Sequence, residues 1–252
     1  MSTIGEAGTP VGLLAHVGIT GDEIVQDDVL EDLAGAHRYR QWLVGLATPH
    51  LGDDPLEIGS GLGDHAADWA ASGLARLTAS EADVGRVAAL RARFRGDPVV
   101  RVRALTAPVT ESGAHSAVVA YNVLEHIPDD QAALRAFAGL LRPGGALVLL
   151  VPAFPSAMSD FDRAVGHQRR YRRRDLAAAL RAAGLEVRVL HHVNSLGLLA
   201  WYVVMVGLRR KPRMGLLLKV YDVAVVPWLR RLETWQTPPF GQSLFAVARK
   251  PS

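Results

Sequence analysis

The stretch PLEIGSGLGDHAADWAASG, residues 55–73, constrains this chain more than any other. A short apolar run leads straight into glycines at 59, 61 and 63, and then into an alanine-rich helical segment that stops at Gly73. A strand that turns through glycines into a helix is the building unit of α/β folds, because glycine permits backbone conformations and close approaches that a Cβ forbids. The same beat recurs along the chain. Strands are predicted at 75–80, 98–105, 116–124 and 146–154, with helices at 81–94 and 129–141 between them and RPGG turning the chain into the fifth strand. A helix at 173–184, a strand at 185–193 and a final strand at 242–250 follow, and residues 22–50 read as helices ahead of the first strand. Strands this continuously apolar belong to a mainly parallel, doubly wound sheet covered by helices on both faces.

Bulk properties narrow the function. The 252 residues, 49% apolar and 21% charged, suit a folded core and not a disordered chain. The absence of cysteine excludes disulfides, thiolate nucleophiles and cysteine metal sites, and is compatible with a reducing cytoplasm. A net charge of +3, with basic residues bunched at 163–174 and 209–213, is too little for a nucleic-acid stripe, so no nucleic-acid partner is expected. The opening MSTIGEAGTPVGLLAHVG lacks a basic start and a long apolar core, and reads as a flexible lead, not a signal peptide. The longest apolar run, residues 196–208, falls short of the ~20 residues that span a bilayer, although a surface-lying helix is compatible with it.

The glycine turn offers free N–H groups and room for a ligand. Its spacing is G-x-G-x-G, not the G-x-G-x-x-G of a dinucleotide site, and an acid, Glu57, stands two residues ahead of Gly59. That combination suits a ligand with an ammonium group better than one with phosphates. A second acid, Glu81, ends the second strand, where a carboxylate can accept both ribose hydroxyls. Taken alone, these residues fit either a nucleoside site or an ordinary tight turn followed by a solvated glutamate at a helix start.

EIGSGLG, TASEAD, AYNVLEHIPDD and LLRPGGALVLLVP occur in that order, and together they resemble the class I S-adenosylmethionine-dependent methyltransferases over roughly residues 37–193. The resemblance implies a Rossmann-like seven-stranded sheet whose last strand runs antiparallel. It implies one domain: an N-terminal helical lid to residue 50, a cofactor-binding core at 51–193, an apolar substrate or lid insertion at 194–241, and the final strand. It also implies roles. Glu57, Gly59, Ser60, Gly61 and Gly63 would cradle the methionine part of S-adenosylmethionine, Glu81 would bind the ribose with Ala82 beside the adenine, and Leu105 and Thr106 would lie along the adenine. Asn122 would face the methionine, and Tyr39, in AHRYRQW, would close over the cofactor, with helix-face packing as its alternative.

Three residues are expected at the chemistry. His126, at the mouth of the fourth strand, is the candidate general base, since histidine titrates near neutrality; Glu125 is the weaker one. GHQRRYRRRD, 166–175, resembles a G-H-x-R-R-Y element of some bacterial methyltransferases, which would set His167 and Tyr171 above the site and Arg169 and Arg170 against an anionic substrate group. The alternative gives those arginines to Asp160, Asp162 and Asp175. Some relatives bind a divalent ion, but the linear sequence shows no dense ligand cluster, so no metal is expected; a site would have to draw on Glu125, His126 and a further acid.

The insertion, with Trp201 and Met205, is expected to line a pocket for a bulky apolar small molecule, to pair with a second copy as a homodimer, or to touch a membrane peripherally through RRKPR. The expected reaction is direct methyl transfer from S-adenosylmethionine, with S-adenosylhomocysteine as product, to a hydroxyl or carboxylate of a secondary-metabolite-like molecule. N- or C-methylation, a lipid-linked acceptor, and a non-methylating cyclase or binding role are the alternatives. The arginine-rich composition hints at a high-GC bacterium.

Overall fold

The computed structural model describes residues 35–105, 113–207 and 218–252. At its centre stands β1 (Pro55–Ile58), buried along its whole length. It pairs in parallel with β2 (Leu77–Glu81) on one side and β4 (His115–Tyr121) on the other. β3 (Val100–Ala104), β5 (Leu141–Pro152), β6 (Glu186–Val193) and β7 (Ser243–Arg249) complete a seven-stranded sheet of order β3-β2-β1-β4-β5-β7-β6. β7 runs antiparallel to both of its neighbours, as the resemblance implies.

Strict alternation divides the sheet between two cores. Val118, Ala120, Leu147, Leu149 and Leu244 face one side, with Leu134 and Phe137 of α4 (Asp130–Leu140) and Leu176 and Leu180 of α6 (Arg173–Ala182). Val119, Tyr121, Val148, Leu150 and Phe245 face the other, with Trp42 of α1 (His37–Ala47), Trp69 of α2 (Asp64–Ala71) and Leu90 of α3 (Val84–Arg93). Helices α3 and α4 begin on aspartates that cap them: Asp83 accepts from Arg86 N–H and Asp129 from Ala132 N–H.

RPGG departs from the expected turn. β5 starts directly after α4, and the four residues form an irregularity inside its pairing with β4, between His115↔Leu141 and Ala117↔Ala146. Glycine is needed there for room: a Cβ on Gly145 would lie 2.9 Å from the Arg142 carbonyl oxygen and 3.1 Å from that of His115. The first thirteen residues of the helical stretch expected at 22–50 lie outside the described residues.

The described residues of the insertion fold as α7 (Ser195–Trp201), a π-helical turn (Tyr202–Gly207), a second π-helical turn (Tyr221–Val225) and α8 (Val226–Trp235). Two buried or half-buried acids tie it down. Asp222 accepts hydrogen bonds from the N–H groups of Arg38 (3.1 Å) and Tyr39 (2.7 Å) at the start of α1. Glu233 accepts from the N–H groups of Asn194 and Ser195 at the start of α7. No described helix is long and apolar enough to cross a membrane.

Candidate active site

In an open α/β sheet, ligands bind beyond the strand C-termini where the strand order reverses. Here that point lies between β1 and β4, and the turns after these two strands carry Gly59, Ser60, Gly61 and Gly63 on one side and Asn122, Glu125 and His126 on the other. After β1 the chain turns back on β2: the N–H groups of Gly59 and Ser60 both donate to the Ser80 carbonyl at 2.9 Å, and Gly63 N–H donates to the Ser60 carbonyl. Gly63 caps α2 in the left-handed region, at φ +83°, and a Cβ on it would lie 2.7 Å from both Leu90 and Phe94. Only glycine meets both demands.

Glu81 closes the turn. Its carboxylate, 2% exposed as a residue, accepts from Gly61 N–H at 2.9 Å on one oxygen and from Ala82 and Asp83 N–H on the other. Leu105, half-buried, donates its N–H to the Glu81 carbonyl, so the end of β3 stands beside this acid. Thr106 lies outside the described residues. Asn122 follows β4 with φ +51°, a conformation asparagine tolerates better than most residues. Its side chain is exposed at the strand end.

Two polar groups in the turn are buried without a hydrogen bond: one oxygen of Glu57 and the Ser60 hydroxyl. His65, stacked on Trp69, stands 3.8 Å from the other Glu57 oxygen. Burial keeps that imidazole neutral, with its pKa down to about 4. Burial also pushes the Glu57 carboxyl up to about 7; the Ser60 hydroxyl beside it opposes the rise, and the charges of Glu81 and Asp64 add to it. A carboxyl whose pKa is higher folded than unfolded stabilises the fold at low pH, and that contribution is lost as pH rises through about 7. Glu57→Gln is therefore expected to melt above the wild type near pH ~8 and to converge with it near pH ~4, in ligand-free thermal unfolding followed by circular dichroism.

Tyr39 sits half-buried on α1, edge-on to Trp42, and its hydroxyl is pushed up to about 12 by burial. It packs against the core beneath α1.

The second half of the site follows β4. Glu125 and His126 lie on a short 3-10 turn, Leu124–His126, and the chain after β5 brings His167 against them. The His126 and His167 rings meet edge to face, with centroids 4.7 Å apart. Burial, then the neighbouring His167, lower His126 to about 4, so it is neutral at physiological pH and binds a proton weakly. His167 Nδ1 lies 2.8 Å from an Asp162 oxygen, and its Nε2 lies 3.8 Å from a Glu125 oxygen. Asp162 also accepts two bonds from the Arg170 guanidinium, and from the N–H and hydroxyl of Ser159, which caps α5 (Asp160–Ala164). Burial opposes its charge, but the bonds from His167, Arg170 and Ser159 hold the carboxyl down to about 2.

The remaining residues of GHQRRY are held by partners within the chain, and Arg170 takes the alternative of pairing with Asp162. Arg170 is buried, paired with Asp162 and placed over the Trp201 ring at 4.5 Å. Arg169 donates to the carbonyls of Ile127 and Pro128 and lies 3.3 Å from Asp130. Tyr171 is buried and donates its hydroxyl to Asp130, which with burial raises its pKa well above the ordinary value. Each of the three therefore has a partner within the chain. Trp201 likewise gives its N–H to the Ala157 carbonyl. With Ala157 and Leu198 it forms a small apolar cluster bordered by Phe154, Phe161 and Tyr202, close to the end of β5. Met205 lies in the first π-helical turn. α8 leaves Trp228, Leu232 and Trp235 exposed at helical spacing.

From sequence, Glu125 stands only as the weaker base and Asp162 only as an alternative partner of the arginines. The aspartate stands within a capping signal, S-D-F-D, and its distance of five and eight residues from His167 and Arg170 was the available clue.

The comparisons agree with this geometry. A family model described as a methyltransferase domain matches residues 32–190. Among solved structures, a chain of the complex between the Haloferax volcanii Trm112 methyltransferase activator and a methyltransferase matches with TM-score 0.61 and 17% identity, covering 91% of this chain and 95% of that one. The [4+2]-cyclase SpnF matches at 0.57 and 21% identity, over 83% of this chain and 79% of that one. Geranyl diphosphate methyltransferase, crystallised with GPP and sinefungin, matches at 0.59 and 16% identity, over 82% and 78%. Comparison with curated proteins finds no match. The chain belongs to the class I S-adenosylmethionine-dependent methyltransferase family, with its Rossmann-like fold.

Proposed function

We propose that this protein transfers a methyl group from S-adenosylmethionine to an oxygen of a small, bulky, apolar acceptor and releases S-adenosylhomocysteine. The carrying observation is the pair of unmet polar groups in the glycine turn, the Glu57 oxygen and the Ser60 hydroxyl. A buried carboxylate that meets only the Ser60 hydroxyl and a neutral imidazole is unfavourable, and an ammonium group offers it both charge and N–H donors. Glu57, Gly59, Ser60, Gly61 and Gly63 would hold the amino-acid end of the cofactor. Glu81 would take the ribose, with Ala82 and Leu105 beside the base and Asn122 near the methionine. When bound, the cofactor supplies a methyl on a sulfonium, already activated for displacement.

The chain's task is then alignment and exclusion of water, which together can supply on the order of 7–11 kcal/mol of barrier lowering. His126 and His167, backed by the buried Glu125, would form the polar side of the acceptor site, and the cluster of Ala157, Leu198 and Trp201 would support the apolar one. His126, being neutral, has a lone pair to offer a hydroxyl proton or a ligand.

Calorimetric titration of the full chain with S-adenosylmethionine and S-adenosylhomocysteine tests this reading, followed by a screen of acceptors for the methyl mass shift. Absence of binding by both compounds would overturn it, and binding with acceptor turnover that adds no methyl would replace it with a non-methylating activity. His126→Ala is expected to leave the calorimetric affinity for S-adenosylhomocysteine unchanged and to reduce turnover by roughly 10²-fold or more. Equal turnover of variant and wild type would remove His126 from the acceptor side.

A further inference from the structure

The Glu125 carboxylate is fully buried, and neither oxygen has a hydrogen-bond partner. Arg170, the nearby guanidinium, gives its bonds to Asp162 and the Ala153 carbonyl. A carboxyl in that position either keeps its proton or meets a cation. What surrounds it is suited to a cation. An Asp162 carboxylate can only accept, so the His167 Nδ1 that faces it carries the hydrogen; the ring atom that must give up its proton to bind a metal is then Nε2, on the side of Glu125. Carboxylate, imidazole and ligand in that sequence is the arrangement that orients metal-binding histidines. His126 adds a second ring, whose Nδ1 is buried and unpaired.

We infer that Glu125, His126 and His167 form a binding site for a divalent transition-metal ion of the zinc class, with Asp162 as the positioning residue behind His167. One ligand atom from each of the three lies within 4.8 Å of the others, and His167 Nε2 and the Glu125 oxygen are 3.8 Å apart. Ligands bound tetrahedrally at about 2.0–2.1 Å stand roughly 3.4 Å from one another, so modest closure of the set completes the geometry. Two imidazoles and one carboxylate select zinc, cobalt, manganese or iron over magnesium and calcium, which prefer all-oxygen sites. Three protein ligands leave a position for water or for an oxygen donor. Both histidines are partly accessible, which gives the ion a way in. The residues come from β4's exit and from the chain after β5, 41 positions apart, which is why no linear motif shows them. The site does not rest on the cofactor assignment: it is built from other residues.

The test is titration of the chelator-treated full-length protein with Co2+ alone, followed by visible absorption and by calorimetry, with Zn2+ as competitor. The expected result is one Co2+ per chain, giving ligand-field bands of a four- or five-coordinate site that Zn2+ abolishes. Glu125→Gln keeps the shape of the side chain and removes a charge buried without hydrogen bonds, so it is expected to fold, and to weaken Co2+ binding by at least ~100-fold. His126→Ala is the second variant and is expected to lose the bands as well, with thermal melts confirming that both are folded. Wild-type protein that shows no such bands, or folded variants that bind Co2+ as tightly as wild type, would overturn the proposal; the second outcome would place the ion on surface histidines.

Discussion

Replacing Glu81 with alanine is expected to lower the affinity for S-adenosylhomocysteine by roughly 100-fold or more. Each hydrogen bond to an ionised carboxylate contributes on the order of 1.5–3 kcal/mol, and two ribose hydroxyls are proposed to use this one. A second effect adds to the loss. The same carboxylate holds Gly61, Ala82 and Asp83 by their N–H groups, so its removal releases the turn that would carry the ligand. Calorimetry on Glu81→Ala and Glu81→Gln separates the two contributions, because the amide oxygen of glutamine still accepts from one or two of these groups. A glutamine variant that binds as weakly as alanine points to the charge; one that binds like wild type points to the turn. Unchanged affinity in the alanine variant would mean that the acid serves the fold alone.

The largest expected effect on stability is at Asp162. Asp162→Ala leaves the Arg170 guanidinium buried without its counter-ion, and breaking a buried pair from one side costs about 3–5 kcal/mol. It also removes the partner of His167 and the reciprocal cap of α5. Equilibrium unfolding in denaturant measures the loss. Asp162→Ala combined with Arg170→Met is expected to recover much of it, since the stranded charge is gone and the methionine side chain still fills the space against Trp201. A single variant that loses under ~1 kcal/mol would show that the pair is not what holds this segment.

Much of the sheet was legible because interior parallel strands must be apolar on both faces. SAVVAY and ALVLLV cannot be read as half-exposed, and they occupy the middle of the sheet. The glycine turn was legible for a related reason: Gly63 must adopt a positive φ where any side chain would strike Leu90 and Phe94. Other features depend on partners remote in sequence. RPGG has the composition of a turn, yet β4 captures it within a strand. RRYRRR has the composition of a solvated basic face, but the buried Asp162 takes Arg170 out of the solvent, and the carbonyls of Ile127 and Pro128 hold Arg169 half-buried. Glu125 looked secondary because its importance lies in what it fails to touch, and no residue string records an absent hydrogen bond.

The Asp222 carboxylate caps α1 from 184 positions away, and the Arg38 guanidinium answers it through the Val223 carbonyl. Helix α1 and the second π-helical turn of the insertion are thereby one mechanical piece, written in two distant parts of the gene. Anyone grafting the insertion of another family member onto this scaffold, to change what it accepts, would separate that piece from its anchor. A working chimaera needs to carry residues 37–47 along with the graft, or to supply an acid at the position of Asp222. The unit of exchange in this architecture is the pair of segments, not the loop.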